Sequence, residues 1–322
     1  MHAKLRRSHS SFAEPLFLFF SVFAVPLALP VPRPQQSAHS IPSIAELKSR
    51  ADSGDASAQH QLAQFLLNEN LTAAGYDSAL TWLRSSASQN NAHSQFLLGY
   101  LYEHGHGVPR DYAKAAQYYQ AAARHGHSSA QNNLAGLYQH GLGVRKDLSK
   151  ALDLYLLAAH QNDPVAQSNL ATVYYIGNGI PRNFSEAARW FRAAADAGDP
   201  VAQHDLGVLY FKGLGVPLDY NAAAHWIALA ARLNNSSAAA DLAYLYETGK
   251  GVPLDYVAAY LWYSRAVATG DAAASPHLKS LSQIMTRKQL DEANTLVSSQ
   301  STQPGPSGGP SSPAALSLRP NP

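Results

Sequence analysis

The side chains best suited to chemistry in this chain are its 14 histidines. His104 and His140 stand one 36-residue interval apart in glycine-rich segments, with His106 beside the first, so the three could meet at one edge of a fold. A first-row metal site needs converging ligands with partners behind them. His125 and His127 belong to the opposite end of a helical hairpin, so the five do not converge. Solvated turn histidines are the simpler reading, and no metal or cofactor is expected. The repeated Gly-x-Gly pairs are spaced as helix stops, not as a phosphate cradle ahead of a lysine. His-Glu-x-x-His is absent and the repeats hold no Gly-x-Ser-x-Gly, so no catalytic residue is assigned and the chain is read as a non-enzyme.

A second polar set recurs in register: Asn133, Asn169, Asp205 and Asp241, each one residue before a leucine (Leu134, Leu170, Leu206, Leu242). On a helix this places a polar group beside the row facing the inner surface of a helix stack. It could bond an extended peptide there. The alternative is that it bonds the neighbouring repeat and fixes the stacking. Tyr175 and Phe211 are the candidates for partner specificity, because the matching positions Glu103, Gln139 and Glu247 are polar. Aromatic anchors are enriched at interface hot spots, and rings on adjacent helices about 10 Å apart would form one apolar platform. The bland alternative is that both rings fold over the next repeat and extend the core.

These residues are positioned by a strict period. Tyr102, Tyr138, Tyr174, Tyr210 and Tyr246 are spaced by 36 residues, as are Gly105, Gly141, Gly177, Gly213 and Gly249. A fixed period of this length means a solenoid of stacked helix pairs. Ala202, Leu206 and Tyr210 make one stripe of a first helix, and the glycine after it is expected in the left-handed region of a helix C-cap. The second helix opens at Asp111, Asp147, Asn183, Asp219 and Asp255, whose side chains suit an N-cap. It buries Ala223, Trp226 and Ala230 and their counterparts. Gly126, Gly198 and Gly270 close it, with Asn90, Asn162 and Asn234 in the same place elsewhere. In the first repeat the glycine turn is missing and Gly75 stands where the capping aspartate should be, as befits a terminal repeat.

The expected organisation is a signal peptide and linker over 1–40, a capping half-repeat over 41–56 with Ile44, Leu47 and Ala51 on one side, and six repeats over 57–270. Capping helices follow over 271–298, the second opened by the capping box Thr286 to Gln289. A Pro/Gly/Ser tail over 299–322 is expected to be disordered. Lys4, Arg6 and Arg7 ahead of the apolar run Leu16 to Leu29 have the layout of a secretory signal. Export to the periplasm or beyond is therefore expected, with an uncleaved membrane anchor as the alternative and no stable span once the signal is removed. Lys4, Arg6, Arg7, Arg33 and Glu14 lie in this leader; without them the chain's 24 basic and 22 acidic residues become 20 and 21. No basic stripe is expected to follow a phosphate backbone, so nucleic acid is not a partner. With no cysteine, disulfides and thiolate sites are excluded.

The pattern Ala-x-x-x-Leu-Gly-x-x-Tyr-x-x-Gly-x-Gly-Val-x-x-Asp-Tyr resembles the Sel-one-like repeat family, a branch of the tetratricopeptide-like helical superfamily. The resemblance implies an all-α, right-handed α-solenoid of six helix-turn-helix repeats, acting as a monomeric adaptor that holds a protein or peptide on its concave surface. A cysteine-rich subgroup of that family is linked to β-lactam binding and hydrolysis. An envelope hydrolase or β-lactam-binding protein is the second reading, and it would need a histidine–carboxylate pair in one deep pocket.

Overall fold

One backbone geometry recurs in repeats two to six. The first helix ends at Gly105, Gly141, Gly177, Gly213 or Gly249, with φ between 63° and 77°. The glycine N–H returns to the carbonyl four residues back, as from Gly105 to Leu101 at 2.9 Å, which satisfies an otherwise open helix end. The chain then crosses to the next N-cap, whose own N–H bonds the carbonyl of the core tyrosine: Asp111 to Tyr102 at 2.8 Å and Asp147 to Tyr138 at 2.9 Å. The second glycine of the pair answers a different need. A Cβ on Gly143 would overlap the backbone of Tyr112 in the preceding repeat, so the turn packs directly on the neighbouring helix start.

This computed structural model describes residues 43–69, 73–177 and 179–301, and every element among them is a helix. The helices fall into two units. The first extends to Leu218 and holds α1 (Ile44–Asp52), α2 (Ala56–Glu69), α3 (Ala73–Ser88), α4 (Ala92–His104), α5 (Tyr112–Arg124), α6 (Ser128–His140), α7 (Leu148–Ala159), α8 (Pro164–Ile176), α9 (Phe184–Asp196) and α10 (Pro200–Lys212). The second starts at Asp219 and holds α11 (Tyr220–Arg232), α12 (Ser236–Thr248), α13 (Tyr256–Ala268), α14 (Ala274–Ile284) and α15 (Arg287–Ser301). The expected signal segment, 1–40, lies outside the described residues, as does the tail from 302 onward. Ser299–Ser301, expected in that tail, continue α15.

Within the first unit each antiparallel pair buries the same positions. Ala115, Tyr119 and Ala122 of α5 pack with Tyr102 of α4 and with Leu134 and Leu137 of α6. Alanine at the crossing points lets backbones approach, and each buried leucine contributes about 1.5–3 kcal/mol of apolar transfer. Polar pegs lock the register. The amide nitrogens of Gln59, Gln95, Gln131, Gln167 and Gln203 donate to the carbonyls of Ala51, Ala87, Ala123, Ala159 and Ala195, at 3.1–3.3 Å. Each peg ties the first turn of one helix to the last turn of its predecessor.

In the second unit α12 and α13 form the same hairpin, with Tyr263, Leu242 and Leu245 buried. The expected capping box opens α15: the Gln289 N–H donates to the Thr286 hydroxyl at 3.3 Å, and the Thr286 N–H to the Gln289 side chain at 2.9 Å. The Asp and Asn N-caps of the second helices hold throughout, as from Lys114 N–H to Asp111 at 3.0 Å and from Ala258 N–H to Asp255 at 2.9 Å. Asn90, Asn162 and Asn234 take φ of 64°, 60° and 64°. Gly75 lies inside α3, because without the glycine turn that helix begins early, at Ala73. Ile44 is 54% exposed, since it stands at the first position of α1, a turn ahead of Leu47 and Ala51, which meet Ala58 and Leu62.

Candidate partner-binding surface

The amide column is engaged in the fold. Asn133 donates to the Tyr119 hydroxyl at 3.1 Å and accepts from Asn132 at 3.1 Å. Asn169, one repeat on, donates to the Asn132 side-chain oxygen at 2.8 Å. The Tyr119 hydroxyl donates in turn to Glu103 at 2.5 Å. Three consecutive first helices, α4, α6 and α8, are thus linked by one polar chain running through α5. Burial, with the Glu103 carboxylate beside it, raises the Tyr119 hydroxyl well above its ordinary range. Asp205 sits 3.7 Å from the buried His204 ring. In the second unit Asp241 is only 6% exposed. The four positions keep equivalent places, but Asn133 and Asn169 spend hydrogen bonds on stacking.

Tyr175 and Phe211 do not form an exposed platform. Phe211 is 4% exposed, in the core. Tyr175 is half-buried with its ring edge-on to Phe184 at 5.3 Å. The repeats also differ sixteen residues on. The polar residue at this position accepts from the second-helix tyrosine: Tyr119 to Glu103, Tyr155 to Gln139 at 2.9 Å, and Tyr263 to Glu247 at 2.8 Å, each pair 16 apart. In repeats four and five that tyrosine is replaced by Phe191 and Ile227, which have no hydroxyl to donate. An acceptor at Tyr175 would lack the hydroxyl donor that serves Glu103 and Gln139, and an aromatic ring stands there instead.

Histidines gather in two places. His104 stacks on Tyr100 at 4.1 Å and on His106 at 5.7 Å. A separate array joins His60, His93 and His127, with ring centres 5.7 and 5.0 Å apart, and Phe96 stacks on His127 at 4.6 Å. His127 is the N-cap of α6: its Nδ1 accepts from the Ala130 N–H at 3.3 Å. The matching caps are Asn91, Asp163, Asp199 and Asn235. This column of first-helix caps was readable in the sequence as Asn or Asp every 36 residues with one histidine among them. Burial first, then neighbouring His93, lowers His60 and His127 to about 4. Among the described residues no group of three or more histidine or carboxylate side chains is arranged to hold a metal ion.

Asp241, Tyr244, Tyr263 and His277 line a recess of about 20 Å³ in the second unit. That is room for one water molecule, and much less than a drug-sized ligand occupies. The glycine-turn edge differs in character. Arg110, Arg145, Lys146 and Arg182 are all exposed there, a local row of cations that the balanced overall charge conceals.

Six consecutive segments, 56–91, 92–127, 128–163, 164–199, 200–235 and 236–271, match the Sel1 repeat. A protective antigen of uropathogenic Escherichia coli with an SLR fold superposes with a TM-score of 0.70 at 30% identity, over 80% of this chain. This chain spans 56% of that antigen's length. A Sel1 repeat protein from Oxalobacter formigenes superposes with a TM-score of 0.64, also at 30% identity, over 78% of this chain and 99% of its own. A search of curated proteins finds no match.

Proposed function

The chain belongs to the Sel1 repeat family, and on that premise we propose that it is an exported, non-catalytic scaffold that holds a protein partner on its repeats. The observation that carries this reading is the split between uniform and variable positions. Leu134, Leu170, Leu206 and Leu242 are buried in every repeat, whereas the exposed residue before each second-helix cap changes from Arg110, Lys146 and Arg182 to Leu218 and Leu254. Packing dictates the first set. Nothing in the core requires the second, so it is free to encode a partner. The layout of residues 1–40 supports export, with the periplasm or the exterior as destination and a membrane anchor as the alternative.

The test is site-specific photo-crosslinking in the native host, with a photoreactive phenylalanine analogue at the half-exposed Tyr175 or at Lys146. A discrete protein adduct is expected from at least one site and none from Lys288 on α15. Absence of adducts from both repeat sites would overturn the scaffold reading.

A further inference from the structure

We propose that the glycine-turn edge of repeats two to four is a docking strip for an extended acidic peptide segment, held by Arg110, Lys146 and Arg182 with Arg145 beside them. The strip begins in the register of the repeats. Arg110, Lys146 and Arg182 each stand immediately before a second-helix N-cap, and all are exposed. Consecutive turns are in contact. A Cβ on Gly143 would overlap Tyr112, two residues beyond Arg110, and one on Gly179 would come within 2.7 Å of Leu148, two beyond Lys146. The three cations therefore follow one another along a single edge, one from each repeat.

Three carboxylates near these turns are already committed. Asp111 caps α5 and lies 3.4 Å from Lys114; Asp147 caps α7 and lies 3.6 Å from Lys150; Glu186 meets Arg189 at 2.8 Å. The cations before each cap are left facing solvent. Arg110 lies over the Tyr112 ring at 5.5 Å and Arg182 over Phe184 at 5.6 Å. These cation–π contacts hold the guanidinium groups at the surface with donors free for a carboxylate.

The turn itself does not need positive charge. Leu218 and Leu254 occupy the same position, each 57% exposed, after glycines with the same left-handed φ. An extended peptide rises about 3.3 Å per residue, so glutamates spread along it can meet successive cations. Exposed pairs are individually weak, on the order of 0–1 kcal/mol, so the strip works through several pairs in register.

This inference rests on the scaffold reading and names the partner chemistry at one edge of it. The probe is a fluorescein-labelled ten-residue peptide with glutamate at every third position and Gly, Ser or Ala between, titrated against the full chain by fluorescence anisotropy. Binding is expected to weaken at least tenfold in R110E/K146E/R182E and on raising salt. It should vanish for the glutamine version of the peptide and stay unchanged in R287E/K288E on α15. Melting curves check folding, and R110Q/K146Q/R182Q carries the test if the reversed variant does not fold. Equal binding by the wild type and either triple variant, equal binding of the glutamine peptide, or charge-dependent binding to anionic phospholipid vesicles with none to the peptide overturns the strip. Crosslinks from Tyr175 that persist in the triple variant would leave the scaffold standing without it.

Discussion

The hydroxyl of Tyr119 donates to Glu103 at 2.5 Å while accepting from Asn133 at 3.1 Å, so one buried oxygen joins the second helix of a repeat to the first helices on both sides. The same pairing over 16 residues recurs at Tyr155 with Gln139 and at Tyr263 with Glu247. In repeats four and five the residues 16 positions after Tyr175 and Phe211 are Phe191 and Ile227, which carry no hydroxyl.

Removing that hydroxyl leaves Glu103 and Asn133 each short of one partner at a part-buried site. Tyr119→Phe should lower stability by about 1–3 kcal/mol, and the double variant Tyr119→Phe with Glu103→Leu should recover part of the loss. Urea unfolding of the four proteins in the cycle measures this. Additive losses would mean that the pair is not coupled.

Phe211→Ala should destabilise by about 3–5 kcal/mol, as core phenylalanines do, while Tyr175→Ala, half-buried, should cost less. Thermal melts order the two. A Phe211→Ala protein as stable as the wild type would place that ring outside the core.

Gly213→Ala should cost about 1–2 kcal/mol, because the residue holds φ 63° and the new Cβ would lie 3.2 Å from the Leu218 Cβ. Gly213→Asn should cost less, since asparagine already occupies the left-handed positions at Asn90, Asn162 and Asn234. Chemical denaturation compares the two.

Stability should fall as pH drops from about 6.5 to about 4. His60 and His127 titrate near 4 when folded against 6.5 unfolded, so the unfolded chain binds more protons in that window. An imidazolium at His127 also cannot accept from the Ala130 N–H, and it sets positive charge at a helix N-terminus. His127→Asn should match the wild type at pH 7 and exceed it at pH 4.5. Melting temperatures across this range decide it; identical acid profiles would rule out the histidine cap as a source of acid sensitivity.

Export should remove the first 37 to 40 residues or so, given the basic start and apolar run of the leader. Intact mass of the protein recovered from the envelope or medium reads the new N-terminus. An intact Met1 chain confined to the cytosol would contradict export.

The sequence alone determined the local architecture. A 36-residue period with tyrosine, glycine and aspartate at set offsets specifies helix, left-handed stop and N-cap, because each is a short-range backbone requirement written in one or two residues. The glycine φ values, the asparagine stand-ins and the second-helix caps follow from that grammar. Only the tertiary structure decided which polar and aromatic side chains spend themselves on the fold. Asn169 reaches Asn132 across 37 residues and His60 reaches His93 across the repeat boundary, and neither pairing has a signature within one helix. Phe211 read as a surface anchor because it broke the repeat pattern. Its burial becomes clear only when the hydroxyl-bearing partners of Glu103 and Gln139 are seen, since exposure depends on what packs against a residue and not on how it differs from its counterparts.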